Sequence, residues 1–178
     1  MRTPSVLNVR ACSIRFATLS LMLVMACGDT NGGDDGLPAA AEDPDPLVVP
    51  TNSDDLLEWL VAEPYLDWPS ESGIHRSTGP HFGDVQTWVT PALLDSLEAG
   101  NAEHPAGSAT VKELYGSGSE RRGWSVSVKL ADLSQGGEQW YWYEWFNGSI
   151  VASGDGISVC TGCHSGGQDF VLTPIPLQ

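Results

Sequence analysis

The chain has 178 residues and a hydrophobic content of 41%, values that suit one modest domain with an ordinary core. Its formal net charge is −15. A surface this acidic repels nucleic acid and anionic lipid headgroups, and both are therefore excluded as expected partners. Any contact with a membrane must come from a separate segment of the chain.

Residues 1–26 have the layout of a secretory signal peptide. Arginines mark the start, and a mostly apolar run extends from Ile14 to Ala26, too short to span a bilayer as a stable helix. The run ends at a small residue directly before Cys27, which resembles the lipobox of bacterial lipoproteins. We predict an exported protein, lipid-anchored at Cys27 to a bacterial membrane and facing the periplasm or the cell surface. Ordinary signal cleavage near Ala26 is the alternative.

Residues 27–51 are predicted to be a lipidated, disordered linker, because they are rich in glycine, aspartate and proline and have no apolar period. The folded domain is then residues 52–178. Once the signal is removed and lipid occupies Cys27, only Cys160 and Cys163 remain, two residues apart. That spacing excludes a disulfide framework.

The first half of the domain predicts short helices around one strand. Proline and glycine divide it into segments. The predicted elements are a helix over 54–63 capped by Ser53 and ended by Pro64, a loop over 65–83, a strand over 85–89, and a helix that begins at Pro91 and stops at Gly100.

The second half predicts an antiparallel sheet. Segments 108–115, 124–130 and 139–146 alternate and are rich in β-branched and aromatic residues, with glycine-rich turns between them, and 148–153 is a further candidate strand. Both faces of 139–146 are aromatic, so we expect this strand to be covered on both sides. The predicted class is mainly β (α+β), an antiparallel sheet with one or two short N-terminal helices.

The segment from Cys160 to His164, Cys-Thr-Gly-Cys-His, is the attachment pattern of a c-type haem. Two thiols at this spacing reach the two vinyl groups on one haem edge, and the adjacent His164 then ligates the iron. The sequence therefore predicts one covalent haem c. A thioredoxin-type redox pair is an alternative, as is a zinc site that uses a further histidine.

The sixth iron ligand is left open by the sequence. The processed chain contains no methionine, so the candidates are His75, His81, His104, a lysine, water or no ligand. A five-coordinate or exchangeable iron is the leading interpretation, and an open iron favours small-molecule binding or chemistry over electron transfer alone.

Several segments together resemble the cytochrome P-460 family. They are Gly79-Pro80-His81, the run from His104 to Tyr115, Gly123-Trp124-Ser125-Val126, Trp140, the haem motif, and Asp169-Phe170-Val171-Leu172-Thr173. The resemblance spans roughly residues 55 to 175. It implies a small, mainly antiparallel β-fold that carries a haem c and often forms a homodimer.

The resemblance also implies two alternative activities. Members of the family oxidise hydroxylamine, some with a lysine joined covalently to the porphyrin, and Lys112 is the candidate for that cross-link. The related cytochromes c′-β instead bind NO or CO without turnover. A bis-histidine electron carrier is a third interpretation. An oxidase would pass electrons to a soluble electron-transfer protein.

A distal proton acceptor and cations for the haem propionates complete the predicted site. Glu144 and Glu138 are the candidate bases, because parity places them on one face of the aromatic strand. Arg76 and Arg121 are candidates for the propionates because arginines are scarce in the processed chain.

Overall fold

The computed structural model describes residues 48–81, 83–133 and 136–178, and an antiparallel sheet forms its centre. Its strands are β1 (His75–Arg76), β2 (Asp84–Val89), β3 (Ala109–Gly116), β4 (Gly123–Lys129), β5 (Trp140–Phe146) and β6 (Ser149–Asp155). The helices are α1 (Ser53–Ala62), a 3₁₀ helix (Pro64–Asp67), α2 (Pro91–Glu98) and α3 (Ser158–His164). The six strands lie in chain order, each antiparallel to the next. The predicted mainly β, α+β class is confirmed.

Successive side chains on each strand point to opposite faces of the sheet, and the buried ones contribute to two separate cores. Both faces of β5 are buried, as predicted, with Tyr141 and Tyr143 on one face and Trp140 and Trp142 on the other. The connection from β5 to β6 is the pair Asn147-Gly148, and both residues have positive φ. This pair matches the type I′ turn that fits strand twist.

One sheet face, here called the α1 face, is closed by α1 and the 3₁₀ helix. Leu56 and Leu60 of α1 are fully buried against the sheet. They meet the aromatic and branched residues of the inner strands: Trp88, Ala109, Val111, Trp124, Val126, Val128, Tyr141 and Tyr143. Burial of so many large side chains makes this face the main source of hydrophobic stabilisation.

The opposite face, here called the cavity face, is only partly closed. Leu93 and Leu97 of α2 pack on one end of it, together with Trp140, Trp142 and Val171. Helix α2 begins at Pro91, the predicted first helical position. The rest of this face lies beneath α3 and the C-terminal residues, where a cavity remains.

Three local details differ from the sequence prediction. Asn52, not Ser53, caps α1, because its side-chain oxygen accepts a hydrogen bond from the Asp55 amide at 3.1 Å. The predicted loop over 65–83 contains the 3₁₀ helix and β1. Helix α3 was not predicted, since its serine, cysteine and glycine residues have weak helix propensity and tertiary packing decides its conformation.

The predicted signal peptide over residues 1–26 and the lipidation site at Cys27 lie outside the described residues, as does the linker up to residue 47. Within the described ranges, no helix combines the length and apolar character needed to cross a bilayer. Export and lipid anchoring remain predictions.

Candidate haem site

A cavity of about 530 Å³ opens on the cavity face and lies within the size range of small-molecule and cofactor sites. Residues far apart in the chain form its walls. The predicted site residues that line it are Lys112, Glu144, Cys160, Cys163 and His164, and the candidate iron ligands His75 and His81 line it as well. Tertiary structure thus brings the thiols, the histidine, the lysine and the carboxylate into one space.

Helix α3 positions the Cys-Thr-Gly-Cys-His motif. Cys160 lies three and four residues before Cys163 and His164, so all three side chains occupy one side of the helix. Cys160 packs against the core of the cavity face, whereas Cys163 is exposed, and both thiols are free. This presentation fits a haem edge held by two thioethers above an adjacent imidazole.

The His164 ring is held in one tautomer and orientation by a backbone carbonyl and a tryptophan ring. Its Nδ1 lies 2.9 Å from the Phe170 carbonyl oxygen, which can only accept, so Nδ1 carries the proton and Nε2 keeps its lone pair. The Trp142 ring packs against the imidazole at 4.6 Å between centroids. Burial lowers the pKa of His164, which keeps the ring neutral and able to bind a metal.

The Cys160 thiol lacks the electrostatics of an attacking thiol in disulfide exchange. Burial raises the pKa of Cys160 to about 11, and the nearby Glu144 and Cys163 act in the same direction. Redox-active cysteines of the thioredoxin type have a lowered pKa, often near a helix N-terminus or a cation. Cys160 lies in the first turn of α3, as redox cysteines often do, but its raised pKa makes it a poor thiolate nucleophile.

A row of polar residues crosses the sheet beneath the cavity. Lys112 on β3 pairs in register with Ser125 on β4, which in turn pairs with Glu144 on β5. All three side chains line the cavity. Polar residues at adjacent inward positions of three strands are unusual for a core, and here they face open space.

Lys112 stands at one end of this row. Burial lowers the pKa of its ammonium, while the charge of Glu71 acts in the opposite direction. Glu71 is itself buried at 4% exposure, and its Oε2 accepts a hydrogen bond of 2.6 Å from the Thr87 amide. Lys112 is thus an amine on the cavity wall for which desolvation favours the neutral, nucleophilic form.

Glu144 stands at the other end and contacts His81. The His81 Nδ1 lies 3.1 Å from the Glu144 Oε2, within ion-pair distance, so the two groups can share a proton. The His81 and His164 rings lie 6.3 Å apart between centroids. The two residues form an oriented proton-accepting pair beside the motif.

The other candidate histidines differ in what their ring nitrogens contact. His104 is 1% exposed; its Nδ1 bonds Ser96 at 2.9 Å and its Nε2 bonds the Gln168 carbonyl at 3.2 Å. Both nitrogens are therefore occupied. His75 contacts Glu71 through Nε2 at 3.0 Å, and this interaction raises its pKa. Of the three histidines, His81 is the one that combines a place on the cavity wall with an available ring nitrogen.

Glu138 and the two arginines lie away from the cavity walls. Glu138 is exposed in the turn before β5, which begins only at Trp140, so it does not share a strand face with Glu144. Arg76 is exposed and pairs with Asp84 at 3.7 Å. Arg121 is on the α1 face, paired with Glu113 at 2.6 Å and with Glu63. Parity and scarcity thus misplaced these candidates, because turn geometry and long-range pairing decided their positions.

Sequence reasoning missed the role of Glu71 in the cavity wall and named His81 only as one of three candidate histidine ligands, without linking it to Glu144. Both lie in segments without periodicity, so no local signal indicated their direction. In the described part of the chain, no group of three or more histidine, cysteine, aspartate or glutamate side chains is placed to hold a metal ion, and a zinc site therefore gains no support.

Comparison with known proteins gives no family assignment. No protein-family model matches the chain, and no curated protein matches it significantly. The resemblance to the cytochrome P-460 family therefore stays a prediction, carried by the motif and the segments quoted above.

Proposed function

We propose that this protein carries one haem c bound covalently to Cys160 and Cys163, with His164 as the iron ligand, and that it oxidises hydroxylamine or a similar small nitrogen compound. One observation carries the proposal: the attachment motif shares a cavity with an amine, Lys112, and a carboxylate, Glu144, that the sequence analysis had assigned to the same chemistry. The bound haem would supply an open iron that binds the substrate and receives its electrons.

The residues of the cavity have distinct roles in this proposal. Oxidation of an N–H or O–H compound releases protons, and Glu144 with His81 accepts them at Oε2 and Nε2 beside the substrate. The lowered pKa of Lys112 favours the neutral amine that a lysine–porphyrin bond requires. His164 is held by the Phe170 carbonyl so that its Nε2 can ligate.

Two other functions remain as alternatives. A protein without turnover that binds NO or CO would use the same cavity without needing Glu144. A bis-histidine electron carrier is favoured by one specific observation, the proximity of the His81 and His164 rings at 6.3 Å. An acceptor protein, a homodimer and membrane attachment through Cys27 belong to the proposal as expectations from sequence alone.

Haem attachment is tested by producing the full chain in a host competent for cytochrome c maturation. We expect a coloured protein whose mass is increased by one haem. The double variant Cys160→Ala/Cys163→Ala should lose both colour and added mass, whereas Ser165→Ala, an exposed change beside the motif, should keep them. A colourless wild-type protein of unchanged mass would overturn the proposal.

The activity is separated from the alternatives by spectrum and turnover. A high-spin spectrum with hydroxylamine-dependent reduction of an electron acceptor supports the oxidase. We expect Glu144→Gln to lower this rate by about 100-fold while NO and CO still bind, because a general base contributes on that scale. Glu58→Gln, on the exposed side of α1, is the matched control and should have no effect.

Three other results would point elsewhere. Gas binding without turnover supports the c′-β-like alternative, and a low-spin six-coordinate spectrum abolished by His81→Ala supports the carrier. A haem peptide that includes Lys112 would establish the cross-link. Haem peptides limited to the motif would exclude it.

A further inference from the structure

A buried ion pair lies directly behind the haem motif, outside the cavity. Lys129 on β4 and Asp169, five residues after His164, contact each other with side-chain exposures of 0% and 1%. The Lys129 ammonium also lies 5.7 Å from the centre of the Trp140 ring. Because desolvation offsets most of the attraction in such a pair, stability alone explains it poorly. A role in fixing one conformation is the better-attested use of buried charges.

The aspartate of this pair belongs to a tight turn. The Gln168 and Val171 backbones close the turn with two hydrogen bonds, of 3.0 and 2.9 Å. The two central residues, Asp169 and Phe170, have φ values of 44° and 67°. Two successive positive φ values are the type I′ pattern, which strongly favours Asn-Gly. Phenylalanine in this region is strained, so other contacts must hold the turn.

Those contacts converge on the Asp169 carboxylate. Its Oδ2 accepts from the Lys129 ammonium and from the His104 amide at 2.7 Å. The His104 ring, in turn, donates to the carbonyl of Gln168, the first residue of the turn. The His104 ring, in the segment before β3, therefore holds Gln168, the first residue of the turn. The Lys129 ammonium on β4 and the His104 amide hold Asp169, its first central residue.

This arrangement sets the direction in which one backbone carbonyl group points. The Phe170 carbonyl accepts from the His164 Nδ1 at 2.9 Å. We infer that the Lys129–Asp169 pair is a positioning device that holds the strained turn so that the Phe170 carbonyl fixes the tautomer and orientation of His164. Lys129 and Asp169 act through the backbone and do not ligate. The inference rests on the proposed role of His164 as the iron ligand, which a hydrogen bond from Nδ1 makes a stronger donor.

The test compares haem-loaded variants by the iron–histidine stretching frequency and the midpoint potential. Lys129→Met/Asp169→Asn removes both charges of the pair together, which avoids leaving either one buried without the other. We expect haem to stay attached, the stretching frequency to fall and the potential to rise. Adding Phe170→Gly creates an Asn-Gly turn that needs no clamp, and we expect it to return both values toward wild type.

A control and a second readout keep the outcomes distinct. Glu113→Gln disturbs the ion pair on the α1 face and should leave both values unchanged. Wild-type frequency and potential in the double variant would overturn the inference while leaving haem attachment intact. If the wild-type chain carries no haem, the proposed function fails, and the ¹⁵N shifts of His164 decide the inference alone. An Nδ1–H tautomer that persists in the double variant would then overturn it.

Discussion

The two faces of the sheet treat charged residues in opposite ways, and adjacent positions of β3 show it best. Glu113 points to the α1 face, where its carboxylate accepts from Tyr65 at 2.5 Å, from Arg121 at 2.6 Å and from Tyr115. Lys112 points to the cavity face, where it is half-buried and makes no hydrogen bond within the described residues.

The difference separates polar groups that stabilise the fold from polar groups that are available for binding or reaction. On the α1 face the Trp124 indole donates to Tyr65, and Arg121 lies over the Trp124 ring at 4.5 Å, so each polar group of this cluster meets a partner. Burial and the bond to Glu113 raise the pKa of Tyr65, which keeps it a neutral donor. On the cavity face Lys112 is left desolvated beside open space. Such an arrangement costs stability and is typical of sites that bind or react.

The largest expected effect is loss of the paired carboxylate. Glu113→Leu leaves Tyr65 and Tyr115 without their acceptor and leaves Arg121 with Glu63 alone, and we expect the free energy of unfolding to fall by about 3 kcal/mol. The volume-matched Glu144→Leu on the cavity face should change it by less than about 1 kcal/mol, since that carboxylate borders solvent-accessible space. Urea unfolding measures both, and equal losses would remove the contrast between the faces.

A smaller effect of opposite sign is expected at Lys112. Lys112→Met removes a desolvated ammonium without breaking a hydrogen bond, so we expect a gain of up to about 1 kcal/mol in unfolding free energy. Lys129→Met is the matched control and should destabilise, because Asp169 would lose its buried partner. A clear loss of stability in Lys112→Met would show that this lysine, too, is structural.

The smallest expected effect is on the pH dependence of stability, and it compares the buried His104 with His75 on the cavity wall. Burial lowers the pKa of His104, while Asp169 opposes and Lys129 assists this shift. The stability that His104 contributes is therefore present above the unfolded pKa and is lost as pH falls through the folded pKa. The contact with Glu71 raises the pKa of His75, although partial burial and the charge of Lys112 act to lower it. The stability that His75 contributes is present below the unfolded pKa and is lost as pH rises through the folded pKa.

Unfolding measured at several pH values between about 5 and 8 tests these signs. His104→Gln should weaken the loss of stability on acidification, whereas His75→Gln should strengthen it. Identical pH profiles for the two variants would contradict the assignment.

Prediction from sequence succeeded where a short alternating pattern determines which way the side chains point. Strict alternation located β2 to β5 within about two residues, and the aromatic pattern of β5 correctly indicated burial on both faces. The spacing of Cys160, Cys163 and His164 is also local. It keeps the two thiols and the imidazole close together whether the motif lies in a loop or, as found, in α3. Lys112 and Glu113 are adjacent on β3 and therefore lie on opposite faces, but only the folded structure shows which face is closed.

The sequence by itself thus determined the fold class, the strands and the cluster of thiols and imidazole, because each depends on spacing within one segment. Only the tertiary structure decided that His81 and Glu71 reach the cavity, that Arg121 lies on the far face, and that the Phe170 carbonyl meets His164. The physical reason is that loop and turn residues carry no periodicity. Their positions follow from contacts between segments that only folding brings together.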